Sequence, residues 1–447
     1  MIVPPPADQR SPNVRKHLSA DALHALVRSA FERIPDKRDV RAAIPLPDAL
    51  MSAFAMFSLK EPSLLAFEDR RQDENMKNLY LIGTVPSDTS MREIVDVVDP
   101  CELRPVFSAV FRQLQRGKTL EAFVFYKGSY LLSLDGTGYF SSQSIHCDSC
   151  MQKEDRTTGE ITYYHQMLGA VLLHPDHREV IPFAPEPIQK QDGTTKNDCE
   201  RNAAKRLLQQ IRREHPHLKL TIVEDGLASN APHIRELTKL KMRYLLGVKP
   251  GDHRFLYDRV ETAYSKDQMT FISWQERDVW SEIGFINDLP LNNSNQDLKV
   301  NYLEYCEYDL QGNLLKRFSW ITDFKITKSN ARLLVRGGRG RWKIENETFN
   351  TLKNQGYHFE HNFGHGNHNL SVVFAMLMML AFLVDQVQQH CCPLFRATLT
   401  KVGCKRTLWE RIRSHYWHFV FKSMQQLYEV ILHDLAKEIA VPTFNTS

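Results

Sequence analysis

The amino-acid sequence predicts an α/β fold: a βββαβαβ core and a late glutamate-bearing helix, with an all-β insertion before that helix and helical regions at both ends. Three observations predict it. Two apolar runs each finish in an aspartate followed by glycine, Leu131-Leu132-Ser133-Leu134-Asp135-Gly136 and Leu220-Thr221-Ile222-Val223-Glu224-Asp225-Gly226, the pattern of a buried strand leaving its sheet. Between them, residues 198–213 carry the period of an amphipathic helix. Far downstream, Gly340-Arg341-Trp342-Lys343-Ile344-Glu345-Asn346-Glu347 sets Glu345 one helical turn after Arg341, directly after a small-residue break.

Taken in order, Ser19 caps a first helix whose apolar residues Leu23, Leu26, Val27, Ala30, Phe31 and Ile34 recur at helical spacing until Pro35. A second follows Pro47, with Asp48 as its expected cap, and ends before Pro62. Residues 1–118 therefore read as a helical domain punctuated by Arg15, Lys16, Arg28, Arg33, Lys37 and Arg38. Strands are predicted at 123–135, broken near Gly128, and at 161–173 and 179–183 as a hairpin around His174-Pro175-Asp176-His177. The helix 198–213, capped by Asp198, buries Ala203, Ala204, Leu207, Leu208 and Ile211; a strand at 218–224, a helix at 230–240 and a strand at 244–248 follow. Residues 251–329 form the strand-rich insertion, with strands at 269–274, 302–308 and 314–326. The Glu345 helix runs to about 354, and from Leu370 the pattern is helical. The predicted organisation is 1–118, 119–385 and 386–447.

At 447 residues, with 42% hydrophobic side chains, the chain holds enough apolar surface for roughly three domains and is not a disordered one. A net charge of +4 permits a polyanionic partner without announcing one. No apolar signal-peptide core follows Met1, so the eight cysteines are expected as reduced thiols in the cytoplasm. The longest apolar run, 372–384, falls short of the roughly 20 residues of a membrane span and is expected as a buried helix.

The two aspartates meet if the first and fourth strands are parallel neighbours, and a helix packed on that sheet brings in Glu345. Three such carboxylates can hold divalent ions for phosphoryl transfer, with Arg341 on the same helix face as Glu345. Taken singly, an Asp-Gly strand end is more often a turn, and an Arg-Glu pair four residues apart is a surface ion pair worth roughly a few tenths of a kcal/mol. Specificity comes from the combination.

That combination resembles the RNase H-like DDE transposases of bacterial insertion sequences, and Arg341-Trp342-Lys343-Ile344-Glu345 is similar to the signature around the third acid in members with a β-strand insertion. The resemblance spans about 121–385. It implies Asp135, Asp225 and Glu345 as catalytic ligands of Mg²⁺ or Mn²⁺, two ions together, and Arg341, Trp342 and Lys353 as DNA-binding residues. It implies binding of terminal inverted repeats and of target double-stranded DNA, strand cleavage and strand transfer, a homodimer on DNA, and no membrane. Two departures stand out: Gly338 where the family has tyrosine, and Leu352 where it has lysine, with Lys353 one position on. Glu347 competes with Glu345 as third acid. The rival functions are a nuclease of the same fold without strand transfer and an inactive, domesticated DNA-binding protein.

Other clusters carry weaker signals. His146-Cys147-Asp148-Ser149-Cys150 holds a C-x2-C pair, and His165 and Cys199 could complete a zinc set, but the second half of a zinc motif is missing and an unliganded loop is expected. Lys196, Asp198, Glu200, Lys205, Arg206, Arg212 and Arg213 form either a solvated helix face or a DNA-backbone contact. His361, His365 and His368 sit in a Gly/Asn-rich loop and are expected to orient phosphates or water, not a metal. Arg396, Lys401, Lys405, Arg406, Arg411 and Arg413, with Trp409, Tyr416 and Trp417, serve either DNA binding or helix packing.

Overall fold

Apolar residues at helical spacing dominate the N-terminal stretch, and they fold accordingly in the computed structural model, which describes residues 16–39, 42–190 and 198–435. Arg15 and Lys196 lie outside the described residues. Helix α1 (Ala20–Phe31) starts where the Ser19 hydroxyl accepts from the Ala22 N–H at 3.2 Å, as the cap rule predicts. Helix α2 (Leu46–Leu59) starts one turn earlier than its expected cap. Asp48 lies inside it, where its carboxylate pairs with Arg28 and accepts from the Thr84 N–H at 2.8 Å. Helices α3 (Leu64–Glu68), α4 (Glu74–Tyr80), α5 (Asp88–Asp96) and α6 (Arg104–Arg116) follow.

The sheet then begins with β1 (Tyr130–Ser142), β2 (Met151–Glu154), β3 (Ile161–Leu173), β4 (Ile181–Pro182) and β5 (Glu186–Ile188). Next come α7 (Glu200–Glu214), β6 (Leu220–Glu224), α8 (Ala231–Lys239) and β7 (Arg243–Gly247). Strand β1 runs antiparallel to β3 and parallel to β6, and β6 runs parallel to β7. The first strand departs from expectation at both ends. Residues 119–123 wind into a 3-10 turn, and the strand starts only after Gly128, whose φ of 74° turns the chain. It then continues past Asp135, because β3 is long enough to pair with it as far as Ser142, opposite Tyr163. Its parallel partner β6 pairs only to Ser133, so Asp135 sits just beyond the point where β1 loses one neighbour and keeps the other.

The insertion is not all β. It opens with helix α9 (Arg254–Ser265) before the meander β8 (Thr270–Glu276), β9 (Val279–Asn292), β10 (Asn295–Tyr308) and β11 (Leu314–Thr322). Strand β11 pairs antiparallel with β7, Ile321 opposite Leu246, so the meander prolongs the same sheet in the order β2-β3-β1-β6-β7-β11-β10-β9-β8. Helix α10 (Ala331–Arg339), a π-helical turn (Ile344–Phe349) and α11 (Asn350–Asn354) carry the Arg341–Glu345 stretch. Helices α12 (Leu370–Cys391), α13 (Pro393–Val402), α14 (Lys405–His418) and α15 (Met424–His433) complete the described chain.

Helix α12 is apolar on all sides, so it is stable only where protein surrounds it. By length and composition it could cross a membrane, yet its apolar stretch is wholly buried, packed against α2, α5, α6, α13 and β4. One polar device lies in that core. Lys60, at the C-terminus of α2 with φ 57°, is fully buried and pairs with Asp385 of α12; it also donates to the Ser58 carbonyl at 2.9 Å. The Lys60 ammonium lies 4.3 Å from the Tyr357 ring centroid and 4.0 Å from that of Trp409. The Tyr357 hydroxyl donates to the same Asp385 oxygen.

Candidate functional site

Strand register decides whether the acids meet. Ser133 lies opposite Val223 in the parallel β1/β6 pair, so Asp135, within β1, and Asp225, just past the end of β6, stand two residues further on at the same level. Asp225 follows the last residue of β6, and its Oδ1 accepts from the Leu227 N–H at 3.0 Å, fixing the carboxylate in the turn. Asp135 Oδ1 accepts from the Gly136 N–H at 2.9 Å, while Oδ2 faces Arg341 Nη1 at 3.4 Å. The other arm of that guanidinium, Nη2, lies 2.8 Å from Glu345 Oε1. One cation therefore joins the first and third acids. Burial pushes the Asp135 carboxyl up to about 6 even though Arg341 opposes it, and the charge of Glu345 pushes the same way.

Glu345 is carried on a π-helical turn and not on the regular helix the sequence suggests. The wider turn keeps Ile344, Thr348 and Phe349 buried while Glu345 stays exposed, and the Phe349 ring abuts Gly169 of β3. Lys343 anchors the start of this segment by donating to the His177 carbonyl. Glu347 faces elsewhere, paired with Arg178 at 3.3 Å. Lys353 pairs with Glu360 at 2.7 Å, and Leu352 is fully buried.

The departure at Gly338 has a steric cause. A Cβ there would lie 2.5 Å from the Trp320 indole of β11, so the ring occupies the space that any side chain at 338 would need. This close approach shapes a cleft of about 540 Å³, lined among others by Asp225, Lys249, Arg317, Arg339, Arg341 and Trp342. Of the three acids only Asp225 lines this cleft, among cations whose charge suits a phosphodiester.

A fourth acid, which the sequence places only on a solvated or DNA-contacting helix face, joins the site. Glu200, the first residue of α7, lies against Gly136, where a Cβ would collide with its carboxylate. Partial burial and the nearby charge of Asp225 raise its pKa, and its own charge acts on Asp135. Its sequence signal was an acid in the first turn of a helix, indistinguishable from a dipole-favoured surface residue. Asp198 sits just before α7, accepting from Asn202 at 3.0 Å and Arg206 at 2.8 Å, while Cys199 is the N-cap residue.

The remaining clusters divide. Arg206 also binds Glu186, and Arg212 donates to the Leu218 and Leu240 carbonyls, so both serve packing; Lys205 and Arg213 are exposed. Arg413 donates to the Leu59 and Lys60 carbonyls, Trp409 covers Lys60, and Tyr416 is buried, which makes that part of the C-terminal stretch a packing surface. His361 packs edge-on against Phe363, and the backbone N–H of His368 is held by Asp96. Cys199 is exposed and takes no part in the group that does form, in which Cys147, Cys150 and His165 meet His365.

The Transposase DDE domain family matches residues 153–383, just over half the chain and including Asp225 and Glu345. No curated protein matches it. The chain thus belongs to the transposase DDE domain family and is a DDE transposase of the insertion-sequence type.

Proposed function

We propose that this transposase cuts DNA at the ends of its own element and joins the freed 3′-hydroxyl to target DNA, using one site of Asp135, Asp225 and Glu345 on an RNase H-like core. The carrying observation is the level register of β1 and β6 together with the single guanidinium shared by Asp135 and Glu345. The strand order β3-β1-β6-β7, antiparallel and then twice parallel, supports the RNase H-like assignment. The donor set fits a hard divalent cation, since it consists of carboxylate oxygens whose mutual repulsion Arg341 only partly relieves.

Asp135, Asp225 and Glu345 would hold Mg²⁺ or Mn²⁺, two ions by the family resemblance, which when bound stabilise the attacking and leaving oxygens of an in-line displacement. Glu200 adds negative charge beside them. Arg341 presents a planar fork of donors that matches a phosphate; Lys249 lines the same cleft, and Arg317 and Arg339, paired with Glu304 and Glu307, would neutralise flanking phosphates on exchanging those partners. Trp342, 44% exposed at the cleft, offers a face for a nucleotide. Lys353, paired with Glu360, would contact a flanking phosphate on exchanging that partner. Hydrolysis and strand transfer use the same displacement with different nucleophiles, so one site serves both.

Recognition of the terminal inverted repeats falls to the helical region 1–118, whose surface carries Lys16, Arg33, Lys37, Arg112 and Lys118. A homodimer would hold the two ends, acting on DNA in the cytoplasm. A supercoiled-plasmid assay with the element's ends and Mg²⁺ or Mn²⁺ tests the reading. Joined product supports it, cut product alone makes the protein a nuclease, and bound but unprocessed DNA makes it a DNA-binding protein.

A further inference from the structure

Cysteine and histidine gather beyond the far stretch of β1 and its neighbour β3. Cys147 and Cys150 bracket a tight turn after β1, closed by the Cys150 N–H donating to the Cys147 carbonyl at 3.1 Å. His165 projects from β3, opposite Phe140 of β1. His365 comes from the loop between α11 and α12, some twenty residues after Glu345. All four ligand atoms lie within 4.8 Å of one another.

We propose that Cys147, Cys150, His165 and His365 form a tetrahedral structural zinc site that clasps the loop following the Glu345 segment onto the β1/β3 hairpin bearing Asp135. The spacings carry it. With Zn–S near 2.3 Å and Zn–N near 2.05 Å, tetrahedral geometry sets S···S at about 3.8 Å and S···N at about 3.6 Å. Here Sγ of Cys147 and Sγ of Cys150 are 3.9 Å apart, and His165 Nε2 lies 3.6 and 3.4 Å from them. His365 Nε2 lies 3.4 Å from Cys150 Sγ. Four of the six spacings thus match a zinc-centred tetrahedron, and the remaining two, from His365 to Cys147 and to His165, lie within 4.8 Å.

Burial gives a second, independent observation. His165 and His365 are 1% and 8% exposed, and both turn Nε2, not the unpartnered Nδ1, toward the cysteine sulfurs. Among the described residues, the ring nitrogens of these two imidazoles, whose centroids are 5.0 Å apart, have hydrogen-bond partners only in the two sulfurs. A cation at the centre accepts both Nε2 lone pairs and both thiolates. Aromatic walls close the site, with Tyr139 stacked on His165 and Phe140 4.2 Å from His365. A closed set of four protein ligands is the mark of a structural ion and not a catalytic one. Soft sulfur and nitrogen donors separate it from the oxygen-only acid cluster, so the two sites select different metals.

The clasp has a mechanical sense. On its other side the same loop is held by Asp96, whose carboxylate accepts from the N–H groups of Asn367, His368, Asn369 and Leu370. Zinc at His365 would pin the loop from the sheet side, and with it the chain leading back to Glu345. The sequence hides the set because the fourth ligand lies 215 residues from Cys150.

The test uses the full-length protein, purified under reducing conditions without chelator. Its metal content by mass spectrometry is expected at about one zinc per chain. Cobalt exchanged into the stripped protein is expected to give tetrahedral d–d absorption with a thiolate charge-transfer band. Cys150→Ala and His365→Ala are expected to lose at least about nine-tenths of the zinc, His365→Cys to keep it, and Asp135→Ala to keep it fully. The wild-type measurements stand even if a variant fails to fold. A wild-type protein that neither carries nor takes up zinc, an octahedral cobalt spectrum, or a Cys147–Cys150 disulfide in its place overturns the proposal. Zinc content is read without turnover, so its outcome is separate from that of the transposition assay.

Discussion

Replacing Asp385 by asparagine removes one charge from the centre of the fold and nothing else, because the amide keeps the shape of the carboxylate. In the native protein the fully buried Lys60 ammonium is balanced by Asp385, the Ser58 carbonyl and the faces of Tyr357 and Trp409. Burial already lowers the Lys60 pKa, and Asp385 is the group that chiefly opposes this. Breaking a buried pair from one side costs about 3–5 kcal/mol. The surviving carbonyl and ring contacts put Asp385→Asn near the lower end, about 3 kcal/mol. At roughly 2.1 cal/mol/K per residue, that is only about 3 °C in melting temperature for a chain of this length, so urea titration is the better assay. The sign of the pH dependence is also fixed. In the variant the folded state excludes a proton that the unfolded lysine holds, so stability should climb as pH rises toward about 10.4, by at most about 1.4 kcal/mol per unit. Lys60→Met/Asp385→Leu should recover part of the loss, about 1–2 kcal/mol, since the apolar pair carries no desolvation cost while the Tyr357 hydroxyl is left without its acceptor. A loss under about 1 kcal/mol for Asp385→Asn, or a double variant no better than the single one, would refute this account of the core.

Other substitutions probe the site and its supports. Gly338→Ala drives a methyl group into the Trp320 ring; overpacking of about 1–3 kcal/mol, less about 1 kcal/mol of regained helix propensity, should leave a net loss in urea titration, and a gain would contradict the packing. Arg341→Lys keeps the charge but cannot reach Asp135 and Glu345 together; strand cleavage should fall by about 100-fold while binding of end DNA, followed by gel shift, changes less than about tenfold, and unaltered cleavage would remove Arg341 from the mechanism. Burial holds the pKa of His24 down, against its bond to the Leu79 carbonyl. The unfolded state therefore takes up a proton that the folded one refuses, and stability should drop as pH falls below about 6.5. His24→Asn should flatten that drop between pH 7.5 and 5.5, and parallel urea midpoints for the two proteins would show that His24 is not responsible.

What could be read without coordinates follows from which features are local. Helix α12 was legible because a run that is apolar all round has only one solution in a folded chain, and the end of β6 at Glu224 was legible because Asp225-Gly226 turns within its own neighbourhood. The end of β1 was not. Gly136 and Gly138 look like a turn, but the length of β3 opposite decides that the strand continues. Helix α9 is hidden in a strand-rich block, and Asp48 reads as a cap although its partners, Arg28 and Thr84, lie in other segments. At the site, Arg341 and Glu345 sit four residues apart and their pairing follows from helical spacing. Glu200, Trp320 and His365 acquire meaning only from what the fold brings against Gly136, Gly338 and Cys150.

Divalent-metal-dependent cleavage of end DNA by four single variants, Asp135→Ala, Asp225→Ala, Glu345→Ala and Glu347→Ala, tests the central claim most directly. The first three should lose turnover while still binding DNA, and Glu347→Ala, which breaks the ion pair with Arg178, should remain active. An active Glu345→Ala beside a dead Glu347→Ala, or full activity without either aspartate, would contradict it.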